Sequence, residues 1–165
     1  MLCPACGTEN LIGAEVCDNC GSELVGGVPQ PAITFQGQLL GVRVRDLPMA
    51  QPHTVALDSD AVDAIGRMQR EEADCVLVMD GERLVGIFTD RDAVLKVAGR
   101  SAGPVAIRDV MTPDPVVLRD DDSVAIAIHK MAVGGFRHVP IMYQGKPIGV
   151  ISAKVIFQHL AERLG

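Results

Sequence analysis

Four of the five cysteines of this 165-residue chain fall within its first twenty residues, as Cys3-Pro-Ala-Cys6-Gly7 and Cys17-Asp-Asn-Cys20-Gly21. A Cys-x-x-Cys turn aims two thiolates at one point, and two such turns complete the tetrahedral sulfur site that Zn(II) takes. Gly7 and Gly21 follow the second cysteine of each pair, where a glycine lets the chain turn tightly and frees backbone N–H groups to hydrogen-bond the sulfurs. Cys3, Cys6, Cys17 and Cys20 are therefore the predicted metal ligands. The same residues also permit a redox Cys-x-x-Cys, two disulfides, or an iron site resembling rubredoxin. Zinc is preferred because a redox motif needs no duplicate and normally accompanies a β-α-β pattern, for which this stretch is too short. The fifth cysteine, Cys75, opens an apolar run without an evident activating partner and reads as a buried structural thiol.

The two pairs, with knuckles in the style Cys-Pro-x-Cys-Gly, resemble a small zinc ribbon over residues 1–24, with a loop shorter than the commonest spacing. So short a segment buries too little apolar surface to fold alone, and bound metal is expected to supply most of its stability. Residues 1–42 carry Glu9, Glu15, Asp18 and Glu23 and no Lys or Arg. Four thiolates around Zn(II) would add two further negative charges. Phosphate backbones are repelled by such a surface, so nucleic acid is discounted and a protein contact or a structural cap is expected. From Gly21 to Pro31 paired glycines and two prolines mark a connector. The stretch Ala32 to Val44 turns apolar again, with Ile33, Phe35, Leu39, Leu40 and Val42. We read residues 25–42 as linker plus a leading segment that docks on the main domain.

Beyond it the chain repeats itself. Sliding the sequence until Arg45-Asp46 falls on Arg108-Asp109 also matches Ala64-Ile65 with Ala127-Ile128, Met68 with Met131, Val76 with Val139, Met79 with Met142 and Gly86 with Gly149, without a gap. Two copies of one unit follow, over 43–100 and 101–165. Each reads as a short strand, a helix, two strands and a second helix. In the first copy Thr54 to Leu57 is extended, and Asp58 or Ser59 can cap a helix whose Ala61, Ile65 and Met68 share one face. In the second, Asp121 can cap and Val124, Ile128 and Met131 repeat the stripe. The runs Cys75 to Met79 and Arg83 to Phe88 flank Asp80-Gly81, a hairpin signal, and Val139 to Met142 and Ile148 to Ile151 flank Gln144-Gly145. The last helices are expected near Asp90 to Val97 and Ala153 to Leu164. Thr89-Asp-Arg-Asp92 has the form of a capping box worth ~1 kcal/mol.

The tandem β-α-β-β-α unit, the opening Ile107-Arg-Asp-Val-Met-Thr112, and the segments Gly86-Ile-Phe-Thr-Asp-Arg-Asp92 and Phe136-Arg-His-Val-Pro-Ile141 resemble a pair of CBS domains, or Bateman module. The resemblance covers about residues 43–163. It implies an α/β (α+β) pseudo-twofold pair of repeats that dimerises through its helices and binds an adenine nucleotide between repeats. The family's nucleotide motif is glycine, a hydrophobic residue, any residue, Thr or Ser, two more, then Asp. Gly86, Thr89 and Asp92 satisfy it, which implies phosphate contact by Thr89 and ribose-diol contact by Asp92. The second repeat keeps Gly149 and Ser152 but has Val155 at the aspartate position, so one competent cleft and one weak, altered or empty one are expected. The resemblance also brings Arg137 and His138 to the phosphates of the nucleotide held by the other repeat, and gives Pro113 to Val117 to an apolar slot for adenine.

The remaining features bound the function. The chain is 48% hydrophobic but only 3% aromatic, without Trp, which suits aliphatic layers and disfavours a base-stacking platform. Its net charge of −6 argues against carriage onto DNA by bulk charge. His53, His129 and His159 are dispersed and lack ligand spacing. No Ser-His-Asp arrangement, P-loop or catalytic carboxylate pair stands out, so no enzyme activity is expected. No apolar run approaches the roughly 20 residues of a membrane span, and the N-terminus lacks a basic region leading into an apolar one. A cytoplasmic, regulatory, homodimeric module is the reading, with a structural adaptor as its alternative.

Overall fold

The computed structural model describes residues 2, 3, 5–11, 14, 16–22, 24, 41–100 and 103–164. Most of the expected linker and leading segment, including Ile33, Phe35, Leu39 and Leu40, lies outside the described residues. In the first repeat a 3-10 turn, Val44–Asp46, precedes β1 (Thr54–Ala56), α1 (Ala61–Arg70), β2 (Cys75–Asp80), β3 (Arg83–Thr89) and the short α2 (Asp90–Asp92). The second runs from a 3-10 turn, Ile107–Asp109, through β4 (Thr112–Pro113), β5 (Leu118–Arg119), α3 (Val124–Gly134), β6 (His138–Tyr143) and β7 (Lys146–Ser152) to α4 (Ala153–Leu164). The two hairpins fall where the sequence places them. Gly81 at φ 59°, and Gln144 and Gly145 at φ 48° and 77°, supply the left-handed backbone that their turns require.

One sheet takes the order β1-β2-β3-β4 and the other β5-β6-β7. β1 runs parallel to β2, pairing Thr54 with Leu77, and β2 pairs antiparallel with β3 through a register shift at Val78/Met79. β4, from the opening of the second repeat, adds antiparallel to β3 with Gly86 opposite Pro113 and Ile87 opposite Thr112. β2 reads as a continuous aliphatic run because both its faces are covered. Val76, Val78 and Phe88 pack with Ala61, Ala64 and Met68 of α1 and with Val105, Ile107 and Val110. On the other face Cys75, Leu77 and Ile87 meet Val150. Each fully buried aliphatic side chain here is worth about 1.5–3 kcal/mol.

The compact units do not follow the repeats in sequence. One comprises residues 1–49, 118–139 and 151–165, and the other 50–117 and 140–150. Within the second unit, Ala61 N–H donates to Val105 O (2.7 Å) and Ile107 N–H to Ser59 O (2.9 Å). Within the first, Val124 N–H donates to Val42 O (3.0 Å) and Val44 N–H to Asp122 O (2.8 Å), the same two bonds displaced by one repeat. Each repeat's leading segment thus closes the helix start of the other repeat.

That exchange selects the caps. α1 is capped by Asp60 and not by Asp58 or Ser59, because one carboxylate accepts both Val62 N–H (Oδ1, 2.7 Å) and the incoming Val105 N–H (Oδ2, 2.9 Å). α3 is capped by Ser123 in place of Asp121: the buried hydroxyl accepts Ile126 N–H at 3.3 Å. The two final helices also differ. After Asp92 the chain passes into a π-helical segment, Ala93–Val97, whereas Ala153–Leu164 is regular. No described helix is long and apolar enough to cross a membrane.

Candidate metal centre and candidate nucleotide site

The four N-terminal cysteines converge. Their sulfurs all lie within 4.8 Å of one another, with Cys3 Sγ 3.6 Å from Cys20 and Cys6 Sγ 3.5 Å from Cys17, and all four are free thiols. A tetrahedral Zn(II) with Zn–S of about 2.3 Å requires sulfurs ~3.8 Å apart, so the donor set fits the ion. The two knuckles are copies of each other, with Cys3 falling on Cys17 and Cys6 on Cys20. Gly7 N–H donates to Cys3 O (2.8 Å) and Gly21 N–H to Cys17 O (2.9 Å). Cys3 N–H donates to Thr8 O, and Cys17 N–H to Ser22 O, both at 2.8 Å. Both glycines sit at positive φ, 72° and 71°.

Polar residues that the ligand motif does not include serve these sulfurs. The Cys6 thiol lies 3.2 Å from the Thr8 hydroxyl and the Cys20 thiol 3.2 Å from the Ser22 hydroxyl; once the sulfurs are thiolates, both hydroxyls become the donors. Asn10 is buried and breaks the symmetry: its amide donates to Cys17 Sγ (3.5 Å) and Thr8 O (2.8 Å) while its carbonyl accepts Asp18 N–H (3.0 Å). The self-match of Cys3-x-x-Cys-Gly-Thr-Glu with Cys17-x-x-Cys-Gly-Ser-Glu was the available signal. Burial pushes Cys3 up to about 12. Burial opposes ionisation of Cys17 as well, but the backbone N–H groups of Cys20 and Asn19, with Cys6 and Asn10, outweigh it and bring that thiol down to about 6. Cys75 is unlike the four: burial, then the Asp74 and Asp90 charges, push it up to about 12.

At the end of β3 the capping box is fully formed. Asp92 N–H donates to Thr89 Oγ1 (3.3 Å), and Asp92 Oδ2 accepts Thr89 N–H (3.0 Å) and the Thr89 hydroxyl (2.9 Å). Oδ1 meets Lys96 Nζ at 2.7 Å and the Thr112 hydroxyl at 3.5 Å. Lys96 also donates to Val110 O (3.0 Å). Asp92 is buried. Gly86, the first residue of the motif, is buried as well, and its missing side chain has a steric cause: a Cβ there would stand 2.2 Å from Met111 Sδ. Asp114 N–H donates to Val85 O (3.1 Å), and Val116 and Val117 beyond it are partly exposed apolar residues.

In the other unit the cap is one-sided. Val155 N–H donates to Ser152 Oγ (3.3 Å), and Val155 returns nothing. Arg137 is exposed and adjoins this helix start, its carbonyl accepting Ala153 N–H (2.8 Å), as Asp74 O accepts Asp90 N–H (3.1 Å) in the first repeat. The structure thus joins Thr89 with Asp92, and Arg137 with the helix start at Ala153. His138 is half-buried.

Comparison with known proteins agrees with this geometry. The family model described as the CBS domain matches residues 44–99 and 107–162. The Arabidopsis thaliana CBS domain-containing protein CBSCBSPB5 is 31% identical over 135 residues, 79% of this chain and 25% of that protein. The chain therefore spans about a quarter of the length of the curated Arabidopsis relatives it matches. Among solved structures, the CBS-domain containing protein ATU1752 from Agrobacterium tumefaciens superposes with a TM-score of 0.65 at 29% identity, over 72% of this chain and 98% of that one. CBSX2 in complex with AMP (TM-score 0.61, 24% identity, 76% and 100% covered) shares the fold. So does the CBS pair of MJ0100 in complex with 5′-methylthioadenosine and S-adenosyl-L-methionine (0.67, 19%, 74% and 98%). The twice-matched model and the paired β-α-β-β-α repeats make this chain a member of the CBS-domain family, with two CBS domains in tandem.

Proposed function

We propose that the chain is a non-catalytic, cytoplasmic regulatory module that binds an adenine nucleotide through its CBS pair and carries Zn(II) on its N-terminal cysteines. Its parts are the ribbon over 1–24, the connector over 25–42 and the repeats over 43–100 and 101–165, with the pair assembling as a homodimer. The observation that carries the reading is the Thr89–Asp92 turn, which keeps the family's motif in order at a strand-to-helix junction, in a fold whose neighbours have been crystallised with AMP and with adenosyl ligands. In this reading Thr89 approaches a phosphate, Asp92 a ribose diol and exposed Val116 and Val117 the adenine, while Arg137 brings charge and His138 an imidazole hydrogen bond toward phosphate. Ser152 offers only a hydroxyl beside Val155, so the second site is the weaker. A ligand with different affinity for two arrangements of the module would shift their populations and so regulate a partner.

The site is tested by isothermal titration of metal-loaded protein with AMP, ADP, ATP and S-adenosylmethionine. Saturable binding by wild type, lost in Asp92→Ala, is the expected result; no binding to any of them sinks the sensing role. Cys3, Cys6, Cys17 and Cys20 would hold the zinc, which closes the ribbon as a structural ion and contributes no reaction step. Metal analysis should return about one zinc per chain, lost in Cys3→Ser. A structural adaptor, with the ribbon recruiting a protein and no nucleotide sensing, is favoured by one observation: every acceptor position of Asp92 is already filled from within the chain.

A further inference from the structure

A carboxylate offers about four acceptor positions, and Asp92 uses them all. Oδ2 takes the N–H and hydroxyl of Thr89, and Oδ1 takes Lys96 and Thr112. A ribose diol needs two of them. Those on Oδ2 belong to the start of α2, and giving them up leaves the Thr89 N–H unpaired. Those on Oδ1 come from outside the turn. The Thr112 contact, at 3.5 Å, is at the limit of a hydrogen bond, so the occupant that a ligand must displace is Lys96, at 2.7 Å. The lysine side chain is 39% exposed while that of Asp92 is 11%. Its ammonium therefore stands between a buried acceptor and water, held by Asp92 on one side and by Val110 O (3.0 Å) on the other.

We propose that Lys96 is a specificity-determining residue: an internal occupant of the Asp92 carboxylate that is released toward the phosphate of an incoming anionic nucleotide, so that the site favours phosphorylated adenosines over neutral ones. The role rests on the nucleotide reading given above. A neutral adenosyl ligand breaks the Lys96–Asp92 pair and leaves the ammonium the neutral carbonyl of Val110 and water, with no anion to meet. A nucleotide breaks the same pair and offers the ammonium a phosphate in return, a charge-assisted partner of similar strength. The second repeat supplies a comparison within the chain. Val155 and His159 stand one repeat on, at the positions of Asp92 and Lys96, and His159 Nε2 is buried without a partner among the described residues. The side chain four residues beyond the motif position thus meets the acid in the first repeat, and in the second, where the acid is missing, its buried nitrogen has no partner among the described residues.

The probes are AMP and 5′-methylthioadenosine, which shares the adenine and the diol but carries no charge. Both are titrated into the metal-loaded full chain, wild type and Lys96→Met. Wild type is expected to prefer AMP. In Lys96→Met, 5′-methylthioadenosine should tighten by about fivefold, the upper effect of a part-exposed ion pair, and the preference for AMP should fall roughly tenfold as the phosphate loses its charged donor. Lys96→Arg should keep the wild-type preference. Lys96→Gln, which retains a donor for Asp92 but no charge, carries the same test if the methionine variant does not fold. Intact binding with an AMP preference that survives removal of the charge, or with no tightening of 5′-methylthioadenosine, overturns the role of Lys96 and leaves the nucleotide reading standing. Binding of neither ligand by any of the proteins overturns both.

Discussion

Gly86→Ala separates a glycine that touches ligand from a glycine that makes room. The alanine methyl would stand 2.2 Å from Met111 Sδ, 3.1 Å from its Cγ and 3.2 Å from its Cε. Ordinary contact lies near ~3.8 Å, so the sulfur must retreat by about 1.5 Å. Methionine yields more readily than a branched side chain, which places the cost at the lower end of overpacking, about 1–2 kcal/mol, after a gain of roughly 0.5 kcal/mol from a stiffer unfolded chain. In urea the midpoint should fall by roughly 1 M with an unchanged slope. Met111→Ala is itself destabilising by about 2 kcal/mol or more through lost packing, but in that background Gly86→Ala should be nearly neutral. The coupling in the double-mutant cycle is then at least ~1 kcal/mol. Because Met111 precedes Thr112, which reaches Asp92, AMP affinity should weaken in Gly86→Ala and recover in the double variant. Strictly additive stabilities would refute the steric argument, and lost AMP binding at unchanged stability would make Gly86 a ligand contact after all.

Three further outcomes are expected. Asp60→Ala removes a cap worth ~1 kcal/mol and strands the Val105 N–H at about 1–2 kcal/mol, so urea unfolding should show a loss of about 2–3 kcal/mol, whereas Asp58→Ala and Ser59→Ala stay within roughly 0.5 kcal/mol of wild type. Cys75, pushed up to about 12 by burial and then by the Asp74 and Asp90 charges, should resist iodoacetamide at pH 8 until the protein is unfolded. Its folded value lies above the ordinary thiol value of 9.0, so its contribution is present below pH 9 and lost as pH rises toward 12; Cys75→Val should flatten the decline in urea midpoint over that window. Val155→Asp should raise stability by about 1 kcal/mol, measured by thermal unfolding, because it completes the Ser152 capping box and offers His159 an acceptor.

The sequence carried the repeated strands and their hairpins because short continuous aliphatic runs and Asp-Gly or Gln-Gly turns are local signals. The resemblance to the CBS pair rested on motifs that the family model matches twice. Other features depended on contacts that no local window contains. Asp58, Ser59 and Asp60 are equally good caps in isolation, and only the arrival of the distant Val105 favours Asp60. The same holds for Ser123 beside three aspartates. Lys96 belongs to no motif in the sequence, and its place beside Asp92 follows from the π-helical segment that holds it and from the carbonyl of Val110. Gly86 fits a ligand motif, yet the atom nearest its missing side chain belongs to Met111. The knuckle hydroxyls of Thr8 and Ser22 are legible only as a short self-match, because a hydroxyl two residues after a cysteine has no ligand signal until the sulfur it serves is in place.

The exchanged leading segments bear on what a single repeat can be. Cut out by itself, a repeat with its leading residues, 41–100, would keep a helix start whose Ala61 N–H has lost Val105 O, and would hold out, unused, the Val42 O that belongs on Val124 and the Val44 N–H that belongs on Asp122. Those are a socket and its plug on one molecule. Two such half-chains would satisfy each other by trading arms, since the bonds made by Val42 and Val44 are those made by Val105 and Ile107, one repeat apart. The covalent bridge between the repeats then acts as a concentration device, holding the two halves at the high effective molarity of a short tether in place of a bimolecular encounter. Joining the repeats in one chain thus changes the kinetics of their pairing while leaving the hydrogen bonds where they are.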